Sequence, residues 1–171
     1  MRRMKFLVFS DLHGSKRGLE KLQAAVLIHK PDLLICLGDT LFGAMDGDAR
    51  ACADYLSHSS VPITAVRGNC DSYHDESTLG FPLPDEHTFY FAGHRLRLSH
   101  AAYWSDSKPG DILMSGHTHV QSLYRDGQTI RLNPGSIGKP RDGIYGYATI
   151  EEWGIALYDA SDHHLVERLD F

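Results

Sequence analysis

Short apolar segments alternate with segments of helical periodicity in the first part of the chain. Three runs are mostly apolar and have the length of buried strands: 5–10, 33–37 and 63–66. Between them, apolar residues recur three and four positions apart, which predicts amphipathic helices over 18–29 and 48–57. The order strand, helix, strand, helix, strand predicts right-handed crossovers and a parallel sheet.

The rest of the chain predicts short strands joined by tight turns. Gly93 and Gly127 each lie in a turn between two strand-like segments, which is typical of β-hairpins. The absence of a repeat or a linker predicts one domain over residues 1–171. Its expected fold is α/β, a two-sheet sandwich that contains βαβ units and is flanked by helices. The further strands are predicted at 88–91, 95–99, 112–115, 122–125, 129–132, 145–150, 155–159 and 165–169.

The composition is that of an ordinary globular protein, and it narrows the possible partners. Of 171 residues, 42% are hydrophobic and 23% are charged, which excludes a disordered chain, a fibre and a coiled coil. The 22 Asp and Glu residues outnumber the 17 Lys and Arg residues, so the formal charge is −5. Such a chain lacks the basic surface that duplex nucleic acid requires, and we expect no stable complex with one.

The apolar runs and the cysteines indicate the compartment. The apolar run at 6–9 is too short for a signal peptide or a membrane span, so we expect neither export nor a membrane partner. Cys36, Cys52 and Cys70 are odd in number and share no CxxC spacing, which argues against a disulfide framework. A reducing, cytoplasmic location is the simplest expectation.

Histidine is frequent for a chain of this size, at 11 residues, and several histidines follow predicted strands. The carboxyl ends of strands in an α/β sheet meet at one crevice, where ligands bind. We therefore expect the polar side chains at these strand ends to converge. They are carboxylates, imidazoles and one carboxamide: Asp11, His13, Asp39, Asn69, His100, His117 and His119.

The donor types predict a metal centre. Oxygen and imidazole ligands without a thiolate suit Mn²⁺, Fe, Zn²⁺ or Ni²⁺ rather than Ca²⁺. In extended backbone, Asp11 and His13 point the same way and so are expected to bind one ion, while His117 and His119 are expected to serve one ion each. Seven donors exceed the needs of one ion, which favours two ions sharing a carboxylate. Glycines beside the donors are expected to relieve crowding: Gly14, Gly38, Gly68 and Gly116.

These motifs, in this order, resemble those of the calcineurin-like metallophosphoesterase superfamily. The short chain, with Gly-Asn-Cys-Asp at 68–71 and Asn-Pro-Gly-Ser at 133–136, is similar to the small bacterial and archaeal phosphodiesterases of the YfcE type. The likeness covers residues 4–136. Its motifs are Asp11-x-His13, Gly38-Asp39, Gly68-Asn69-x-Asp71, the strand-terminal His100 and Gly116-His117-x-His119.

The resemblance implies a dinuclear metal-dependent phosphoesterase, and a phosphodiesterase before other activities. A water bridging two divalent ions would attack the phosphorus of a small phosphodiester in line. We name Mn²⁺ first, with Ni²⁺, Fe²⁺ and Zn²⁺ as alternatives. Asp11, His13 and His119 would hold one ion, Asn69, His100 and His117 the other, and Asp39 would bridge both. The candidate catalytic residues are Asn69, Asp71 and His100.

Two positions depart from the family pattern. Many members have histidine after Gly-Asn, where it protonates the leaving group, and here Cys70 occupies that place. A thiol is a poor acid at neutral pH, so good leaving groups are expected to react best. After His100 the family usually has Gly and often a further His, whereas Ala101-Ala102 follow here, so a donor to the substrate is expected to be missing.

Several alternatives remain open. The same site suits a phosphomonoesterase or a cyclic-nucleotide hydrolase, and the fold also suits a non-catalytic scaffold of the retromer-subunit type. Because such scaffolds tend to lose ligands and all seven donors are present here, the enzyme is favoured. Asp71 suits either orienting a ligand or capping the next turn. Without an inserted cap domain we expect an open groove, and a homo-oligomer would cover exposed edge strands.

Other polar residues have less specific interpretations. The segment 133–136 suits a turn beside the site, and Arg67, Lys139 and Arg141 suit either phosphate binding or an exposed surface. The histidines outside the motifs are interpreted as surface or packing residues: His29, His58, His87, His94, His163 and His164.

Overall fold

Two β-sheets packed face to face form the centre of the molecule, in a computed structural model that describes residues 3–101 and 103–171. The described residues form eleven strands and three helices. In chain order these are β1 (Lys5–Phe9), α1 (Lys16–His29), β2 (Leu33–Cys36), α2 (Ala49–Ser57), β3 (Ile63–Ala65), α3 (Tyr73–Leu79), β4 (Glu86–Phe91), β5 (His94–Ser99), β6 (Ile112–Met114), β7 (Gln121–Asp126), β8 (Thr129–Pro134), β9 (Gly146–Glu151), β10 (Gly154–Asp159) and β11 (His164–Asp170).

The first sheet has six strands in the order β11-β10-β9-β1-β2-β3. Strands β1, β2 and β3 are parallel, with Val8 opposite Ile35 and Cys36 opposite Ala65. Strands β9, β10 and β11 continue the sheet in antiparallel pairing, starting from β9 beside β1. The predicted βαβ units are confirmed, and the last three predicted strands extend the same sheet.

The second sheet has five strands in the order β4-β5-β6-β8-β7. Both predicted hairpins are present, since β4 pairs with β5 and β7 with β8 in antiparallel register. Between them, β5, β6 and β8 run parallel. The two sheets together confirm the predicted α/β sandwich.

Strand β1 is buried on both faces, which explains its run of apolar residues. Phe6 and Val8 face the second sheet and join its Leu98 and Met114 in one core cluster. The alternate residue Leu7 joins the core beneath α1 and α2. Because side chains alternate between the two faces and both faces are buried, all four residues after Lys5 in this strand are apolar.

Helix α3 was not predicted from the periodicity, because it is short. Its beginning carries a capping box, in which Ser72 and Asp75 bond each other's backbone N–H groups. That Ser-x-x-Asp spacing was the available signal in the sequence. Of its side chains only Asp75 and Leu79 are buried, which leaves little apolar periodicity to detect.

None of the helices in the described residues combines the length and the apolar character needed to span a membrane.

Candidate metal centre

Five strand ends meet at one edge of the sandwich and carry the predicted donors. They are the ends of β1, β2 and β3 in the first sheet and of β5 and β6 in the second. The two sheets pack with these ends together, so residues more than 100 positions apart come into contact. One close group is Asp11, His13 and His119, and a second is Asp11, Asp39 and His100.

Asp11 is the most deeply placed donor, with none of its surface exposed. Its Oδ2 accepts hydrogen bonds from the Ser10 hydroxyl at 2.6 Å and from the His117 backbone N–H at 3.0 Å. Within the part of the chain that the structure describes, its Oδ1 has no hydrogen-bond partner. A buried carboxylate oxygen without a partner is costly, and a bound cation would satisfy it.

Imidazole nitrogens surround that oxygen. The Nε2 atoms of His119, His13 and His100 lie 3.1, 3.6 and 3.9 Å from Asp11 Oδ1. The Nε2 atoms of His13 and His119 are themselves 3.1 Å apart. When both rings are neutral and protonated on Nδ1, both Nε2 atoms carry lone pairs that repel each other. Such a short distance between the two Nε2 atoms therefore requires a shared proton or a cation bound to both.

Backbone carbonyls orient three of these rings. The Nδ1 atoms of His13, His100 and His119 lie 2.6, 2.7 and 2.6 Å from the carbonyl oxygens of Phe42, Leu37 and Lys139. A carbonyl can only accept, so each Nδ1 carries the proton and each Nε2 presents a lone pair when the ring is neutral. This is the arrangement that metal-binding histidines use.

Asp39 lies between the two groups. Its Oδ2 is 3.3 Å from His100 Nε2 and 3.7 Å from His13 Nε2, while its Oδ1 accepts the Cys70 backbone N–H at 2.7 Å. On the far side, Asn69 Oδ1 lies 3.0 Å from His100 Nε2 and 2.9 Å from His117 Nδ1. All seven predicted donors are therefore joined in one continuous set of contacts.

The charges in this set favour a cation. Burial alone would lower the pKa of His13, but the nearby Asp11 and Asp39 carboxylates and the hydrogen bond to the Phe42 carbonyl outweigh it, so the pKa is raised. The same balance, with Asp39 as the first opposing partner, raises the pKa of His100. Burial would raise the pKa of the Asp39 carboxyl, but the His100 imidazole and the Cys70 N–H lower it to about 2.

The backbone at the donors differs from the expected extended form. Five donors have positive φ, at 52° for Asp11 and His13, 54° for Asp39, 68° for His117 and 61° for His119. Asp11 and His13 do lie in one close group, but the extended backbone that was expected to bring them together is not present. Left-handed residues turn the chain after β1, β2 and β6, at about 1–3 kcal/mol each, and the tertiary contacts hold them there.

The expected role of glycine in relieving crowding is borne out at Gly68 and Gly116. A Cβ on Gly68 would lie 2.1 Å from Asp39 Oδ1, and a Cβ on Gly116 would lie 2.0 Å from Ser10 Oγ. Both distances are far below contact distance, so neither position accepts a larger residue without displacing the loop beside a donor.

Comparison with known proteins agrees with this geometry. A family model described as the calcineurin-like phosphoesterase superfamily domain matches residues 4–152. The chain belongs to this superfamily. The superfamily implies divalent metal ions, and the buried Asp11 Oδ1 with its surrounding ring nitrogens fits such an ion.

Two curated relatives are similar over most of the chain. Phosphodiesterase YfcE of Escherichia coli K12 is 32% identical over 152 residues, which cover 82% of this chain and 83% of that one. A probable metallophosphoesterase of Mycoplasma genitalium, MG207, is 26% identical over 146 residues, covering 81% and 80%.

Solved structures show the same fold. Yfce, described as a phosphoesterase from E. coli, superposes with a TM-score of 0.91 at 26% identity, covering 98% of this chain and 99% of that one. Vacuolar protein sorting 29 from Cryptosporidium parvum superposes with a TM-score of 0.70 at 18% identity, covering 99% of each chain. The second likeness concerns the fold alone.

Asp71 lies behind the donors and holds their backbone. Its two carboxylate oxygens accept the N–H groups of Asp39 at 2.8 Å, Thr40 at 2.9 Å and Gly68 at 2.8 Å. The following helix is capped by Ser72 and Asp75 instead. Of the two interpretations left open by the sequence, the structure favours positioning of the Asp39 and Gly68 loops.

Cys70 lies beside the donors, with an exposed side chain. Its Sγ forms a close group with a ring nitrogen of His13 and a carboxylate oxygen of Asp39, all within 4.8 Å of one another. Burial and the negative charge of Asp39 raise the pKa of the Cys70 thiol. The thiol is therefore protonated at neutral pH.

The segment 133–136 supports the donor loops from below. Asn133 Nδ2 donates to the Gly116 carbonyl at 2.9 Å, and the Ser136 hydroxyl donates to the Asp11 carbonyl at 2.7 Å. Both side chains are buried. The expected turn beside the site is thus present, with its side chains directed at the backbone of two donor loops.

Arg67, which suited either phosphate binding or an exposed surface, has partners of its own. Arg67 pairs with Glu76 at 2.8 Å, and its guanidinium lies 4.4 Å from the centre of the Tyr73 ring. Ala101 and Ala102 follow His100, where the sequence departs from the family pattern. Ala101 is exposed, and Ala102 lies outside the described residues.

Proposed function

We propose that this protein is a metal-dependent phosphodiesterase with two divalent ions. The observation that carries the proposal is the unpartnered, fully buried Asp11 Oδ1, faced by three ring nitrogens whose opposite nitrogens are held by carbonyls. Such an arrangement is costly unless a cation occupies it. Membership of the phosphoesterase superfamily and similarity to a phosphodiesterase of E. coli support the reaction class.

The donors divide naturally between two positions. Asp11, His13 and His119 would hold one ion, and Asn69, His100 and His117 the second, with Asp39 shared because it contacts rings of both groups. Divalent ions in such a site activate water and offset the charge of the phosphate. Nitrogen and oxygen donors suit Mn²⁺, which we place first, and also Ni²⁺, Fe²⁺ or Zn²⁺.

The chain's own residues supply position and orientation. The Phe42, Leu37 and Lys139 carbonyls keep the protons of their histidine partners on Nδ1. Asp71 holds the loops that carry Asp39 and Gly68 in place. On the open side, His117 and Asn69 are exposed, and a small phosphodiester substrate would approach the centre there.

The leaving group selects among substrates. Cys70 stands where an acid would protonate the departing oxygen, and its raised pKa makes the thiol a weak acid at neutral pH. Aryl phosphodiesters, whose leaving groups need no proton, are therefore the best substrates, and alkyl diesters react slowly.

The test combines metal content with turnover. Purified protein loaded with Mn²⁺ is assayed on bis(p-nitrophenyl) phosphate and on p-nitrophenyl phosphate, and its metal is counted by elemental analysis. We expect close to two ions per chain and a higher kcat/KM for the diester. His117→Ala should lose turnover and metal, whereas His87→Ala, which alters an exposed histidine of β4 away from the donors, should lose neither.

Each alternative gives a different outcome. A higher kcat/KM for the monoester would favour a phosphomonoesterase, and faster hydrolysis of a cyclic nucleotide in a parallel assay would favour that substrate class. A protein that carries no metal and hydrolyses neither ester above the His117→Ala level would contradict the proposal and favour a non-catalytic scaffold.

A further inference from the structure

A groove of about 470 Å³ opens between the loop after β2, the beginning of α1 and the segment before β9. We call it the basic groove and define it by Arg17, Met45, Asp46, Lys139 and Tyr145. The proposed function gives no role to Arg17, Met45 or Tyr145.

The walls of the basic groove are the loops that orient two metal-facing rings. The Phe42 carbonyl, two residues before the lining residue Ala44, accepts from His13 Nδ1, and the carbonyl of the lining residue Lys139 accepts from His119 Nδ1. The Lys139 ammonium also donates to the Gly43 carbonyl at 3.0 Å, which ties the two walls together. The groove therefore adjoins the His13 and His119 side of the centre.

The charge available in this groove is positive, although the chain carries −5 overall. Arg17 and Lys139 are exposed, and within the described residues neither side chain forms an ion pair. The acidic lining residue, Asp46, keeps its negative charge while its Oδ2 accepts from the Arg17 backbone N–H at 2.9 Å and from Ser15 Oγ at 3.1 Å, so the lining has two cations against one carboxylate. The two cations remain available to a ligand.

Arg17 is held in position and has apolar neighbours. Its Nη1 donates to the Tyr145 hydroxyl at 3.2 Å, which leaves the guanidinium's other N–H groups available. The Met45 side chain is fully exposed and adaptable, so it offers a flexible apolar wall. A guanidinium presented in this way suits a phosphate or another oxyanion.

A second groove, of about 360 Å³, flanks the opposite half of the centre and has the opposite character. It is lined by Asn69 and His100 together with Arg67, Asp85 and Glu86. Arg67 is paired with Glu76 at 2.8 Å and lies 4.0 Å from Asp85, and Glu86 lies 3.6 Å from Arg97, so the lining has two exposed carboxylates against one cation. We call this the acidic groove. The metal centre therefore lies between a groove with a net positive lining and a groove with a net negative lining.

We infer that the basic groove binds one arm of the phosphodiester substrate, and that this arm carries a second anionic group such as a terminal phosphate. The inference rests on the proposed function and names the substrate class of that site. Arg17 and Lys139 contact the second anion, while Met45 and Tyr145 contact the apolar part of the arm. An arm with a positive charge is disfavoured there.

The test uses three diesters with one leaving group. They are p-nitrophenyl thymidine 5′-phosphate, the same compound with a 3′-phosphate, and p-nitrophenyl phosphocholine. Because p-nitrophenolate is the leaving group of all three diesters, differences in kcat/KM reflect the second arm of the diester. We expect the added 3′-phosphate to raise kcat/KM about tenfold, mainly through KM, because hydrogen bonds to a charged group contribute at that level. The choline ester should be the poorest substrate.

The variant Arg17→Gln tests whether the gain in kcat/KM from the 3′-phosphate depends on the basic groove. The variant should remove most of the gain from the 3′-phosphate, and Tyr145→Phe, which releases the guanidinium, should remove part of it. Arg50→Gln alters a side chain of α2 that is 90% exposed and should keep the full gain. Thermal unfolding midpoints of all three variants show whether each is folded.

The outcomes separate the inference from the proposed function. Turnover of the diesters without a gain from the 3′-phosphate, with an equal gain in Arg17→Gln, or with the choline ester preferred, overturns the inference alone. Absence of turnover on every diester overturns the proposed function and the inference with it.

Discussion

Histidines stand at both ends of α1, and their surroundings differ. His13 precedes the helix and lies beside Asp11 and Asp39, which outweigh the effect of burial and raise its pKa. His29 ends the helix, where burial and then the charge of Lys5 lower its pKa to about 4. The 14 residues of α1 span about 21 Å, so the two rings belong to separate environments.

The partner of His29 is a phenol. Its Nε2 lies 2.9 Å from the hydroxyl of Tyr147, which also lies 3.0 Å from His163 Nδ1. Tyr147 is fully buried and stacks on Tyr158 with ring centres 5.1 Å apart. Burial and the charge of Lys21 lower the pKa of His163 too. In this chain the carboxylates beside His13 favour a cation, whereas the surroundings of His29 favour the neutral ring.

The largest expected effect comes from removing the negative charge of Asp39, which lies near the His13 end of α1. Asp39→Asn should lower the affinity for divalent ions by more than about 100-fold, since even residues behind a metal ligand are worth 10–100-fold. It should also lower the pKa of His100, whose first opposing partner against burial is Asp39. A chelator competition titration measures the affinity, and NMR titration of the metal-free protein measures the pKa.

Asp54→Asn is the matched control for Asp39→Asn. Asp54 is an exposed carboxylate on α2 whose ion pair with Arg50 is 4.0 Å long. The control should bind metal as the parent does. If Asp39→Asn leaves the affinity for divalent ions unchanged, the Asp39 carboxylate is not what makes the His13 end of α1 a cation site.

Asp71→Asn should have an intermediate effect. An amide offers one accepting oxygen where the carboxylate's two oxygens hold three N–H groups, so the Asp39 and Gly68 loops loosen. We expect metal affinity to fall about 10–100-fold and the free energy of unfolding to fall by about 1–3 kcal/mol. Chelator competition and urea unfolding measure the two changes.

Asp162→Asn tests whether any carboxylate that accepts a backbone N–H would behave in this way. Asp162 accepts the His164 N–H at 3.2 Å on the exposed turn before β11. Loss of metal affinity in both variants, or in neither, would argue against a specific positioning role for Asp71.

The smallest expected effect concerns the other end of α1. The pKa of His29 is lowered on folding, so the neutral ring stabilises the fold above pH 6.5 and that contribution is lost as the pH falls from 6.5 to 4. With allowance for partial exposure, we expect the free energy of unfolding to decline by about 1–2 kcal/mol over this range from this residue.

His29→Gln keeps a side chain able to bond the Tyr147 hydroxyl but removes the titration. Its free energy of unfolding, measured by urea at pH 7, 6, 5 and 4, should decline less than that of the parent. Parallel declines in parent and variant would show that His29 does not titrate in the expected direction, and that the contrast between the helix ends is weaker than described.

Much of the fold was predictable because its signals are local. The buried runs of β1, β2 and β3 are apolar on both faces, and the helices between them have a clear apolar stripe, so the βαβ order follows. The hairpins carry glycine turns at Gly93 and Gly127. Helix α3 was missed because its stability comes from a capping box and neighbouring packing rather than from periodicity.

The donor residues were predictable for a related reason. Carboxylates and imidazoles directly after apolar strands have few roles other than facing a common edge, and the motif order adds the family. Backbone conformation was not predictable in the same way. Positive φ at Asp11 and His13 costs energy locally and exists because contacts from distant segments hold it.

The sequence by itself determined the layered α/β fold and which residues face its crowded edge, because alternation, periodicity and residue chemistry are properties of neighbouring positions. Only the tertiary structure decided which of them meet. The carbonyls that orient the histidine rings, the positioning carboxylate of Asp71 and the charges of the two grooves depend on residues up to 128 positions apart. Charge and hydrogen bonding act over a few ångströms of space, and the chain order carries no record of those distances.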